Sequence, residues 1–189
     1  MILLTTSRRP TQGIRTFCRD LSQTIPNVLR MNRGKLSLDG LAEKATELNA
    51  AKVAVIDCWK SGPGKIELYT LSENCLKPFP PLIYLKSVKL RREFPQTRQH
   101  ERKIKSLAIE GTAQSQTAEV KKLEKALSEF FEIPLLLREE TYTKYNALMR
   151  LKTESPEGLI ITFETIPEMI EIGPRIKVSH LIWDLTHES

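Results

Sequence analysis

Three histidines, three cysteines and 6% aromatic residues are all that 189 residues contain, and each scarcity removes a class of function. Cys18, Cys58 and Cys75 lie 40 and 17 residues apart, which fits no zinc-ligand spacing and no CxxC pair. Cys18 falls on the apolar stripe of a predicted helix and Cys58 in an apolar run, so buried thiols are expected. The odd count fits a reducing compartment. His100, His180 and His187 have no helical or hairpin ligand spacing, and nothing sets one against a nucleophile, as acid–base or triad catalysis requires. Glu139-Glu140 and Glu168/Glu171 read as solvated faces, not as the convergent carboxylates of a two-metal nuclease. Phe17, Phe130, Phe131, Phe163 and Trp183 fall on apolar faces, so no platform for stacking unpaired bases is visible. No apolar run approaches the ~18 residues of a membrane span, and the N-terminus lacks the charged-then-apolar layout of a secretory signal. A cytoplasmic protein without membrane contact, cofactor, metal or small-molecule substrate is expected.

One motif invites a phosphate-loop reading, Gly62-Pro63-Gly64-Lys65. A P-loop needs glycine where Trp59 stands, Ser or Thr where Ile66 stands, and a helix after the lysine. Lys65-Ile66-Glu67-Leu68-Tyr69 instead alternates as a strand, so the glycines mark a hairpin turn.

What the chain has is positive charge, unevenly spread. Residues 1–110 carry 20 Lys+Arg against 10 Asp+Glu, and residues 111–189 carry 9 against 13, so a +10 part adjoins a −4 part. That asymmetry predicts an oriented protein, with one face toward a polyanion and another toward solvent or a basic partner. The composition, 40% hydrophobic and 28% charged, is that of a soluble globular domain with a real core.

The N-terminal segment reads as strand Ile2 to Thr5, helix from Pro10 to about Thr24, and strand Val28 to Met31. Ile14, Phe17, Cys18, Leu21 and Ile25 share one face of the helix, and Pro10 suits its first position. Ser37 caps a second helix bearing Leu38, Leu41, Ala42, Ala45 and Leu48. Val53 to Ile56 is a buried strand. Residues 1–71 thus read βαβαββ. A looser echo follows: a strand from Leu82 to Leu90, a long helix that Ser115 caps with Glu and Lys outward, a short strand at Leu135 to Leu137, and strands at 146–152, 158–164 and 177–184. Between the halves, residues 91–116 read as a basic connector, exposed and mobile from about Arg98 onward.

Basic residues fall into sets. Arg8, Arg9, Arg30, Arg33 and Lys35 sit in or beside the two turns after the first two strands. Such turns share one edge of an α/β sheet, where ligands bind, and arginine without a candidate base nearby points to phosphate. The competing reading is carbonyl capping or internal ion pairing. Arg15, one turn from Arg19 on the first helix, is a further candidate. Arg91, Arg92, Arg98, Arg102, Lys103 and Lys105 form the connector set.

Ser7-Arg8-Arg9-Pro10, then Phe17, Asp20 and Leu21, Pro26-Asn27, Arg30-Met31-Asn32-Arg33-Gly34, and near the C-terminus Glu171-Ile172-Gly173-Pro174-Arg175 together resemble the Brix domain family of ribosome-biogenesis proteins, in particular its short archaeal-type members. The likeness covers roughly residues 1–71 and 159–185. It departs from the family at residues 71–76, where a Gly-Pro pair is usual. The resemblance implies an α/β fold of two tandem half-domains of similar topology (1–76 and 77–189), each a mixed sheet packed with helices and similar to the anticodon-binding domain of some aminoacyl-tRNA synthetases. It further implies a non-enzymatic factor that binds ribosomal RNA or its precursor, with ribosome-assembly proteins as possible partners, and assists rRNA processing and subunit assembly. Arg175 of EIGPR is open between an RNA contact and a structural partner of a carboxylate, as is Arg30. An RNA-processing enzyme and a protein–protein scaffold are the alternatives from other classes.

Overall fold

Parallel pairing of the first strand with its two successors organises the N-terminal half. The computed structural model describes residues 1–59, 62–95, 103–111, 117–137, 139–154 and 158–185. The strands are β1 (Ile2–Thr6), β2 (Val28–Arg30), β3 (Lys52–Trp59), β4 (Gly62–Ser72), β5 (Cys75–Lys89), β6 (Leu107–Glu110), β7 (Leu135–Leu136), β8 (Ala147–Glu154), β9 (Gly158–Thr165) and β10 (Arg175–Ile182). They form one sheet in the order β2-β1-β3-β4-β5-β10-β9-β8-β6-β7. Read from one edge the order is β2-β1-β3-β4-β5, and from the other β7-β6-β8-β9-β10. Pairing is parallel among the first three strands from either edge and antiparallel from there to the centre, where β5 meets β10 antiparallel.

Three helices are α1 (Gln12–Thr24), α2 (Leu38–Glu47) and α3 (Ala118–Phe131). The apolar stripe of α1 is buried with Ile2, Leu4, Ala54 and Ile56, and Val120, Leu123, Leu127 and Phe130 of α3 join the same cluster. Leu41 and Ala45 of α2 pack with Leu3, Val53 and Val55. Alternate strand residues thus serve opposite faces, so α1 and α2 lie on opposite sides of β1, and the C-terminal ends of β1 and β2 open between them.

Ser37 caps α2, its Oγ accepting from the Gly40 N–H at 3.0 Å. The other two helices start later than expected. Thr11 caps α1, accepting from the Ile14 N–H at 3.3 Å, so Pro10 precedes the cap. Thr117, not Ser115, caps α3. Lys121, Lys122 and Lys125 are exposed, but Glu124 is buried.

The connector needs the largest correction. Arg91–Glu93 is a 3₁₀ turn held between buried Leu90 and Phe94. Ile104 is buried and donates its N–H to the Gln23 carbonyl at 2.8 Å. Leu107–Glu110 is a strand of the sheet with three buried side chains. Its apolar run is too short, between polar flanks, to announce a strand. Residues 96–102 and 112–116 lie outside the described residues.

Candidate nucleic-acid interface

An open cleft of ≈ 440 Å³ lies where β1 and β2 end, lined by Thr6, Arg8, Pro10, Arg15, Arg30, Asn32, Arg33 and Gly34. Parallel pairing puts Leu4 beside Arg30, so the segments that leave the two strands start side by side, and Arg15 enters from the first turns of α1. Four guanidinium groups surround the opening and no carboxylate lines it among the described residues.

These side chains are partly preorganised. Arg33 donates from Nε to the Leu36 carbonyl at 3.1 Å, and Arg8 donates from Nε to the same oxygen at 3.4 Å. Arg30 donates from Nη2 to Asn32 Oδ1 at 3.0 Å. Gly34 adopts φ +58°, a left-handed conformation that favours glycine and turns the chain between Arg33 and Lys35. Burial, and then the neighbouring Arg8 charge, pull Arg33 below its ordinary guanidinium value; Glu67, Tyr69 and Asp57 act the other way. Such crowding of like charge is relieved by an anion. Beneath the cleft, burial pushes the Cys18 thiol up to about 12 against the influence of Arg30, which makes it a poor nucleophile. Cys58, expected to be buried, is only half-buried.

Of the basic residues proposed from sequence, Arg8, Arg15, Arg30 and Arg33 come together here. Arg9 and Lys35 are exposed beside the cleft without lining it, and Arg92, Lys103 and Lys105 are exposed elsewhere. Arg98 and Arg102 lie outside the described residues. Arg91 departs from the exposed connector set: it is 4% exposed, its backbone N–H donates to Asp20 Oδ2 at 2.9 Å, and its Nη1 donates to Gln23 Oε1 at 3.2 Å. Arg175 stands outside the cleft and pairs with a carboxylate, donating from Nε to Glu171 Oε1 at 2.8 Å and from Nη2 to Glu171 Oε2. The GPR turn packs on the end of α1, where Thr24 donates from Oγ1 to the Gly173 carbonyl at 3.3 Å. The two N- and C-terminal signatures therefore meet in one structural joint.

Asp20 is a buried titratable group on the helix side of that joint. Burial raises its pKa above the ordinary 3.8, against the Arg91 N–H bond and the Arg91, Arg19 and Arg92 charges. A raised carboxyl pKa means the folded state binds the proton more tightly than the unfolded one. The associated stability is present below the ordinary value and is lost as pH rises through the raised one. Asp20→Asn keeps an acceptor for the Arg91 N–H and removes the titration. The variant's melting temperature should therefore gain on the wild type's as pH rises upward from the ordinary carboxyl value of 3.8. A difference that stays constant across that range would mean Asp20 does not titrate this way.

Among the described residues no group of three His, Cys, Asp or Glu is placed to hold a metal ion, and no helix is long and apolar enough to cross a membrane. No family model matches the chain. It is 36% identical over 76 residues to a probable Brix domain-containing ribosomal biogenesis protein of Sulfurisphaera tokodaii, a match that spans 40% of this chain and 43% of that one. The crystal structure of a probable ribosomal biogenesis protein from Aeropyrum pernix superposes with a TM-score of 0.76 at 25% identity, over 96% of this chain and 98% of that one. That of Mil, an archaeal Imp4-like protein, gives 0.66 at 17% identity over 96% and 99%, a likeness of fold alone. With sequence similarity over part of the chain and likeness of fold over nearly all of it, this protein is a homologue of the archaeal proteins named Brix domain-containing ribosomal biogenesis proteins.

Proposed function

We propose that this protein is a non-enzymatic factor of ribosome biogenesis that binds precursor ribosomal RNA through phosphate contacts at the arginine cleft. The observation that carries the reading is the cleft itself, four arginines around one opening with no lining carboxylate among the described residues. Guanidinium groups match phosphate oxygens in geometry as well as charge. The names of the relatives support a role in ribosome assembly. The physical work would be to neutralise phosphate repulsion where RNA segments must approach, in the cytoplasm, while the acidic half meets assembly proteins. Arg9, Lys35, Arg92, Lys103 and Lys105 extend the positive field around the cleft. The matched strand orders from the two edges support two tandem half-domains, with β5 (Cys75–Lys89) as the last strand of the first, so that their division falls after Lys89 and not at residue 76.

The test is RNA binding against salt. A phosphate-dominated complex should lose affinity steeply between about 50 and 200 mM salt, with little preference among RNAs of one shape. Incubation of the same rRNA fragments with divalent metal should leave them intact. Affinity indifferent to salt would sink the phosphate reading, and turnover of the RNA would favour an enzyme.

A further inference from the structure

Opposite the main core, the central seam of the sheet carries an aromatic stack. Tyr84 on β5 and His180 on β10 are cross-strand partners. Their ring centroids are 4.3 Å apart and their planes 10° apart. Ile83 and Leu85 on either side of Tyr84 belong to the main core, so alternation turns Tyr84 to the other face. His180 reaches that face because the register shifts between Val178 and His180. Ser179 Oγ shares a hydrogen bond of 3.1 Å with His180 Nδ1, which fixes the ring. His180 is exposed and Tyr84 half-buried.

The His180 side of the pair is open to solvent. α2 packs over β3, β4 and the far end of β5, where Leu76 lies eight residues before Tyr84, and in the second half a 3₁₀ turn, Glu139–Lys144, stands between β7 and β8 where the first half has a helix. Register also ties the stack to the cleft. Thr6, in the cleft lining, is level with Ile56. One residue further along, Asp57 pairs with Lys65, Lys65 with Tyr84 and Tyr84 with His180. The stack therefore sits about 14–20 Å from the end of β1, three to four strand spacings along one row. Lys65, on that row, is bound to Glu67 at 2.7 Å, and Lys86 is exposed beside Tyr84.

We propose that Tyr84 and His180 form a base-stacking site for an unpaired nucleotide of RNA, with phosphates further along the same strand lying in the arginine cleft. This rests on the RNA-binding reading above and names its partner as a single-stranded or looped segment. The cleft supplies sequence-independent attraction, and the ring pair accepts any base because every base has a π-face. A duplex keeps its bases stacked inside and cannot use it.

Two hairpin RNAs of equal length and charge test this, one fully paired but for a tight loop, the other with an unpaired stretch containing 2-aminopurine. Wild type should bind the second about fivefold or more tightly and quench its fluorescence. His180→Ala and Tyr84→Leu should each abolish that preference and the quench without changing the salt slope, whereas Tyr84→Phe should keep both. His180 is exposed, so His180→Ala carries little risk to the fold. Substituting the cleft arginines should reduce the salt slope yet leave the quench measurable at low salt. If the two ring variants bind and quench like wild type while the cleft variant loses affinity, the stacking site is overturned and the phosphate reading stands. If wild type binds neither RNA, both fall.

Discussion

Replacing Arg8, Arg15, Arg30 and Arg33 together by glutamine is expected to remove about 3 units from the slope of log affinity against log salt, since each lost phosphate contact removes ~0.7–0.9. Between about 50 and 200 mM salt, where wild-type affinity collapses, the variant should be spared about a 100-fold loss. At low salt it should bind far more weakly than wild type. The fold should survive, because the bonds removed are to the Leu36 carbonyl and Asn32 at or near the surface, where polar interactions contribute ~0–1 kcal/mol each. Arg9→Gln with Lys35→Gln should act more weakly, as neither lines the cleft. An unchanged salt slope with a much lower melting temperature would mean that the arginines hold the loops and not a ligand.

Much of this site is legible in the sequence because its cause is local. Two short strands joined by a single amphipathic helix must pair in parallel, and parallel pairing brings together the turns that carry Arg8 and Arg33. Which side chains then line the cleft depends on turn rotation, and no spacing rule separates Arg15 from Arg9 or Lys35. Arg91 misleads for a different reason. It stands in a basic run, but Leu90 and Phe94 on either side are buried and carry it into the interior, where Asp20 meets its backbone N–H. Only long-range packing shows that. Tyr84 and His180 are hidden most completely, being 96 residues apart and joined only by the central strand pair. β6 is missed because three apolar residues between polar flanks carry no period.

The joint between the two signatures should be intolerant at Gly173. Its φ is +66°, and a Cβ there would lie 2.5 Å from Phe94 Cε2 and 2.8 Å from Cδ2. Phe94 has little room to yield: it is 5% exposed, with the Lys89 ammonium 4.4 Å and the Arg175 guanidinium 5.9 Å from its ring centroid. The backbone is held as well, since the Gly173 carbonyl accepts from Thr24 on α1. Gly173→Ala combines ~1–2 kcal/mol for a left-handed non-glycine residue with ~1–3 kcal/mol for overpacking. A loss of about 3 kcal/mol lowers the melting temperature by about 6–12 °C in a chain of this size. Phe94→Ala separates the two causes. In that background the clash is gone and only the backbone strain remains, so Gly173→Ala should cost at least ~1 kcal/mol less than in wild type, a coupling that a double-mutant cycle resolves. An equal cost in both backgrounds would show that Phe94 is not what the glycine accommodates. Because the joint lies at the C-terminal end of α1, away from the cleft arginines, folded Gly173→Ala protein should retain the wild-type salt slope for RNA.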